Sequence, residues 1–382
     1  MQLAKPDPFH RLFHRRDPFH RRFHRRARRC VALLFPTLVA TAFLISPCSG
    51  GEFRLSEVGK IDLPINARAI AWHPDSKSIA AGGFAGMLTV WDAHSGRLIR
   101  DLKQTNGVVE SVEFSSDRKF LAVGKSVVRR GAYLTIFDAA TYGVIDERES
   151  PNVKNGKNSP GLHSISVDPK TSRKIAVLGY ENSWDPVIFS VGPMNREIVS
   201  TPPKARDYVQ KVVFSPNGEI LAVGYINGLV VLYSSEDGRP LKSFAAYDKW
   251  WIRGLVFSPD GRFLYTGSNT GFRHEYLDKA TGQWRKRQNN EPIKMWDMRT
   301  LKLVRIFDPE GVGIESLAVS PDGRYLYAGL IKRLKIWEVA TGALVKQIDT
   351  SGALLVKPSA NGKYLATTDT GTRVIRIWSV AN

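Results

Sequence analysis

One turn recurs seven times along this chain, each time between two runs of β-forming residues. It stands intact at Ser258-Pro259-Asp260-Gly261 and Ser320-Pro321-Asp322-Gly323, and nearly so at Ser215-Pro216-Asn217-Gly218. Looser copies are His73-Pro74-Asp75, Ser115-Ser116-Asp117, Asp168-Pro169-Lys170 and Ser359-Ala360-Asn361-Gly362. Proline fixes φ, Asp or Asn caps the local backbone, and glycine accepts positive φ. The spacing of about 40–60 residues is that of repeat architectures.

The runs around each turn have a fixed character. Before it comes an alternating strand, as in Val109, Val112 and Phe114, or Leu255 and Phe257. After it comes a small, apolar strand such as Phe120-Leu121-Ala122-Val123-Gly124 or Ile220-Leu221-Ala222-Val223-Gly224. A third strand ends on an aromatic: Trp91-Asp92, Phe137-Asp138, Phe189-Ser190, Tyr233-Ser234, Trp296-Asp297, Trp337-Glu338 and Trp378-Ser379. A short turn then leads to a fourth strand, as in Arg97 to Leu102 or Leu344 to Ile348. No helical period appears, so the unit is all-β.

The turn, the Trp-Asp dipeptide and the spacing resemble WD-repeat propellers across about residues 53–380, with degenerate repeats of an exported, bacterial type. The resemblance implies a seven-bladed β-propeller of four-stranded antiparallel blades. The small second strands suit the crowded inner part of a blade. One departure is clear. The family's glycine-histidine dipeptide is largely missing, and Ala85, Asn227 and Thr370 stand where its turn aspartate belongs. That predicts loss of the family's buried hydrogen-bond network. The seventh unit lacks its own fourth strand, while residues 53–63 form an orphan strand. Docking that strand on the seventh blade closes the ring and removes an exposed edge.

The first fifty residues are different in kind. They hold ten Lys/Arg and two Asp of a chain whose net charge is +19. Residues 1–29 are a basic region built on a repeated ten-residue unit, Asp7 to Arg16 and Asp17 to Arg26, which cannot bury a core. Val31 to Ile45 carry no charge and are followed by Ser46-Pro47-Cys48-Ser49-Gly50. Residues 30–50 therefore read as a signal peptide or membrane anchor. Fifteen residues span about 22 Å as a helix against a hydrocarbon core of roughly 30 Å, which favours a cleaved signal. The expected location is periplasmic or secreted; the alternative is anchoring by residues 31–47 with the propeller outside the cytoplasm. Cys30 and Cys48 are the only cysteines, so residues 51–382 contain no disulfide or thiolate site.

The resemblance places working surfaces on the face built from the loops entering each blade and those joining second to third strands. The fifth unit carries the largest such loop, Asn269 to Pro292, with Arg273, Trp284, Arg285, Lys286 and Arg287. Tyr247 and Trp250 lead into that unit, with Trp250 expected exposed and Trp251 buried between blades. Lys125, Arg129, Arg130 and Trp184 complete an expected aromatic and basic rim, the chemistry of interface hot spots. Enzymatic signals are poor. Gly124-Lys125-Ser126 is similar to a phosphate loop but lacks the first glycine, and His73 and His94 have no evident partner. The reading is a non-catalytic scaffold for a protein or peptide, with an acidic partner as one candidate and a membrane contact only if the N-terminal segment stays uncleaved. Nucleic acid is not expected, nor any cofactor or metal. The alternative is a propeller enzyme, lactonase-like or quinoprotein-like, marked by inward-facing His, Asp or Glu at the channel mouth.

Overall fold

The computed structural model describes residues 53–104, 106–127, 131–149, 162–178, 186–191, 197–199, 209–248, 250–269, 275–278, 283–286, 292–308, 310, 313–369 and 372–381. Contacts divide the chain into Met1–Ser49 and Gly50–Asn382. The basic region 1–29 and the segment 30–50, expected to be a signal peptide or anchor, lie outside the described residues. Among the described residues no helix is long and apolar enough to cross a membrane.

Seven antiparallel, four-stranded blades follow one another in chain order. Blade one is Ala67–Trp72, Ser78–Gly83, Leu88–Asp92 and Leu98–Asp101; blade two is Val108–Phe114, Phe120–Val127, Gly131–Asp138 and Val144–Glu149. Blade three is Ile165–Val167, Lys174–Val177, Val187–Ser190 and Glu197–Val199. Blade four is Val209–Phe214, Ile220–Tyr225, Leu229–Ser234 and Pro240–Ala245. Blade five is Trp251–Phe257, Phe263–Asn269, Ile293–Asp297 and Leu303–Phe307. In blade six, Ile314–Val319 comes first and Tyr325–Glu338 supplies both middle strands. Leu344–Pro358 then runs from the fourth strand of blade six into the first strand of blade seven. Tyr364–Asp369, Val374–Ala381 and Arg54–Asp62 complete blade seven. The orphan strand docks as expected, from Arg54 opposite Ala381 to Asp62 opposite Val374.

The repeated turn works through its serine. The hydroxyls of Ser115, Ser215, Ser258, Ser320 and Ser359 accept the backbone N–H five residues on, at 2.9–3.0 Å. Gly218, Gly261, Gly323 and Gly362 take φ of 70–74° there. The other three turns have no glycine, and Ser76 (62°), Arg118 (65°) and Ser172 (55°) carry the left-handed conformation instead. The acid after the third strand has its own task. Asp92, Asp138 and Asp297 each accept both the N–H and the hydroxyl of Ser95, Thr141 or Thr300, at 2.7–2.8 Å. Those backbone bonds hold the three carboxyls below the usual range.

Alternation along each strand sends side chains to two different interfaces. Ala80 and Val90 pack toward blade two, whereas Ala81 and Trp91 pack toward blade seven. The buried apolar residues form seven clusters, one per junction between blades. Small second-strand residues are required where first strands press in. A Cβ on Gly82 would lie 2.3 Å from Val109, and one on Gly224 would lie 2.6 Å from Ile252.

A buried polar chain of a different make-up is present in blade five. Trp296 Nε1 donates to Thr266 Oγ1 at 3.0 Å, and Thr266 Oγ1 reaches the Tyr247 hydroxyl at 3.1 Å. Blade seven repeats the first of these bonds, Trp378 Nε1 to Thr367 Oγ1, at 2.9 Å. The indole N–H must be satisfied once buried, and a threonine on the neighbouring strand does so without the family's histidine or aspartate.

Candidate functional site

The first strands of the blades contact one another around the ring, so their outward alternation faces a central channel. Five of them carry a bulge at the same point, at Arg68, Glu110, Gln210, Arg253 and Glu315. A bulge inserts one residue and re-aims its side chain. Polar residues thereby enter the channel without disturbing the apolar alternation below them.

These groups interact across the ring. Arg68 donates from Nε and Nη2 to Glu110 Oε2 at 3.3 and 3.2 Å, and Ser126 Oγ donates to Glu110 Oε1 at 3.3 Å. Asn269 Nδ2 donates to Glu315 Oε1 at 2.5 Å. Burial pushes the Glu315 carboxyl up, against the pull of Arg253 and Arg68. Glu113, Lys211 and Lys357 form a second charged set. Burial raises the Glu113 carboxyl, while Lys357, the Val167 N–H and Lys211 pull it down. Burial pushes the Lys211 ammonium down to about 8; Lys357 and Arg253 add repulsion, and Glu113 opposes them. Glu113 and Lys211 are half-buried, so solvent in the channel moderates both effects. Among the described residues no group of three or more His, Cys, Asp or Glu is placed to hold a metal ion.

A second feature lies on blade five. Its second and third strands pair directly, Phe263 opposite Asp297 through Thr266 opposite Lys294. The intervening segment contains a separate hairpin, Glu275–Asp278 paired with Gln283–Lys286. The insertion leaves the blade's own register intact.

Comparison with known proteins now bears on the same residues. A family model described as "WD domain, G-beta repeat" matches residues 64–92 and 238–272. A second, "Anaphase-promoting complex subunit 4 WD40 domain", matches residues 187–250. The matched stretches fall on blade one and on blades three to five. The chain is a WD-repeat propeller. Relatives include the nuclear distribution protein nudF of Emericella nidulans, 24% identical over 216 residues, 55% of this chain and 37% of that protein. Protein tipD of Dictyostelium discoideum is 26% identical over 140 residues, 35% of this chain and 20% of that protein. The chain thus spans well under half the length of these curated relatives. The fold is similar to the crystal structure of the Myceliophteria thermophila Cps50 (Swd1) β-propeller domain, at TM-score 0.66 and 15% identity, covering 86% of this chain and all of that one.

Several site expectations change once placed on this WD-repeat propeller. Trp250 is buried and Trp251 half-buried, the reverse of the sequence reading. Counting inward by twos from Phe257 and Leu255 puts Trp251 inside, but the bulge at Arg253 shifts the alternation by one. Tyr247 is buried as well. Its hydroxyl lies 2.7 Å from the Thr266 carbonyl oxygen and 3.0 Å from that of Pro292, with Lys294 Nζ 4.3 Å from its ring centroid. Lys125 is buried too, its ammonium 4.9 Å from the Tyr133 ring centroid, so it is a packed residue and not a rim cation. Both histidines acquire partners: His73 contacts Asp75, and His94 Nε2 meets the Tyr364 hydroxyl at 3.0 Å. Trp284, Arg285 and Lys286 lie on the second strand of the inserted hairpin. Arg129, Arg130, Trp184, Arg273 and Arg287 lie outside the described residues. The channel residues were missed because a bulge leaves no mark in a simple alternation count.

WD-repeat propellers generally bind proteins, so the family likeness supports a protein-interaction scaffold.

Proposed function

We propose that this propeller is a non-catalytic scaffold that captures an acidic protein or peptide on the face bearing the blade-five hairpin, after export by its N-terminal segment. The observation that carries this is the hairpin Glu275–Asp278 and Gln283–Lys286, inserted without disturbing the pairing of Phe263–Asn269 with Ile293–Asp297. A long structured insertion on a rigid scaffold more often carries function than stability. The run Trp284-Arg285-Lys286-Arg287 joins an aromatic anchor to three positive charges, a composition suited to a negatively charged surface. The basic region 1–29 and apolar segment 30–50 support export of a bacterial type, with the propeller periplasmic or secreted.

Affinity purification from the native cell tests the binding reading. Full-length protein should retain a partner that is lost when residues 270–291 are replaced by a short Gly-Ser link. Equal recovery by both forms would overturn the hairpin assignment. N-terminal sequencing of the mature protein tests export: a start near Ser49 supports it, and an intact N-terminus on cytoplasmic protein contradicts it.

A further inference from the structure

We propose that Lys211, Arg253 and Lys357 build an oxyanion-binding site inside the channel, a property independent of the blade-five hairpin. Ala69, Ser111, Gly254 and Ser316 each stand one residue after the bulge of a first strand, opposite the second-strand glycines Gly82, Gly124, Gly267 and Gly329. All four are small and uncharged. Two of them stitch neighbouring blades together: Ser111 Oγ donates to Leu162 O at 3.1 Å, and Ser316 Oγ accepts the Val356 N–H at 3.3 Å. In blade four the same place, opposite Gly224, is taken by Lys211. A serine would suffice for stitching, so a charged residue that must be partly desolvated there has some other use.

The surrounding charges show what that use is. Lys211 feels Lys357 and Arg253 as repulsive neighbours, although the three residues come from blades four, seven and five. All three stand on first strands, which line the channel, and their charges act on Lys211 there. Among the described residues, none of their side chains forms a hydrogen bond or an ion pair, and the buried Nε of Arg253 has no acceptor. Arg253 instead lies beside the ring of Trp251, at 5.8 Å from its centroid. Two carboxylates act on the set from a distance, Glu113 and Glu315, and each has a hydrogen bond elsewhere, from the Val167 N–H and from Asn269. Three positive charges against two negative ones leave an excess that a single carboxylate, sulfate or phosphate group offsets. Such a group also supplies an acceptor for the half-buried Arg253 guanidinium.

The ligand class is a small oxyanion, free in solution or borne on an acidic segment of a partner entering the channel. Calorimetric titration of the full-length protein with inorganic sulfate at constant ionic strength tests the site. Sulfate keeps its charge throughout the pH range used. One saturable site per chain is expected, weakened at least tenfold in Lys211→Met and in Lys357→Met but unchanged in Lys363→Met, where the lysine is exposed. Wild-type affinity should also fall between pH 7.5 and 9.5 as Lys211, facing Glu113, Arg253 and Lys357, loses its proton, a readout that needs no variant to fold. Binding that is absent in the wild type, retained by both channel variants, or independent of pH overturns the proposal. Titration with a capped tri-glutamate peptide distinguishes the sources: tighter binding than sulfate assigns the anion to a partner's acidic segment, and equal or weaker binding assigns it to a free ion.

Discussion

Arg376 Nη1 donates to both carboxylate oxygens of Glu57, at 2.8 and 3.0 Å, across the seam where the ring closes. Both side chains are exposed, so the pair contributes at most about 1 kcal/mol. The seam is held instead by the ladder between Arg54–Asp62 and Val374–Ala381 and by Ile61, which is fully buried between blades seven and one. Ile61→Ala should destabilise the propeller by about 3 kcal/mol, and Arg376→Met by less than about 1. Urea unfolding checks the ranking; a larger loss for Arg376→Met would mean that charge, not packing, closes the ring.

The blade-five polar chain gives a second expectation. Tyr247→Phe removes the hydroxyl that Thr266 Oγ1 reaches at 3.1 Å and leaves the Thr266 and Pro292 carbonyls without it. A stability loss of about 1–2 kcal/mol should follow. Because Tyr247 is buried, partner recovery should not change. Partner loss in a stably folded Tyr247→Phe variant would return this residue to the binding surface.

Much of this was legible beforehand, and for physical reasons. The Ser-Pro-Asp-Gly turns were visible because proline, a capping carboxylate and glycine each solve a local backbone problem that tertiary context does not alter. The closing strand at 53–63 followed from one blade lacking its fourth strand. What stayed hidden depends on register. Arg253 and its four equivalents are bulge residues, and the single extra residue exchanged the fates of Trp250 and Trp251. Tyr247 looked like an interface aromatic because its acceptors, the carbonyls of Thr266 and Pro292, are distant in sequence.

The glycine-free turns are suboptimal. Arg118 holds φ at 65° in a turn whose intact copies place glycine there, as at Gly261. Arg118→Gly should therefore stabilise the protein by about 0.5–1 kcal/mol, relieving left-handed strain that exceeds the entropic cost of glycine. Thermal unfolding checks this; a fall in melting temperature would show that the arginine side chain contributes more than its backbone costs.

Lys211 makes stability depend on pH with a definite sign. Its folded value, about 8, is lower than its ordinary one, so between pH 8 and about 10 the unfolded chain binds more protons than the native state. Stability from this group accordingly rises with pH across that window. In sulfate- and phosphate-free buffer, Lys211→Met should be more stable than wild type at pH 7 by about 1 kcal/mol, after allowance for solvent screening. That difference should shrink toward zero near pH 10. A constant difference from pH 7 to 10 would remove the lysine charge as its cause.

The claim that the blade-five hairpin is the docking surface is tested most directly by site-specific photocrosslinking in the native cell. A photoreactive amino acid replaces Trp284 on the hairpin in one strain and Val144 on the exposed fourth strand of blade two in another. A discrete adduct with one acidic protein from position 284, and none from position 144, is the predicted result. Adducts from position 144 alone, or none from 284 while the partner still co-purifies, would contradict it.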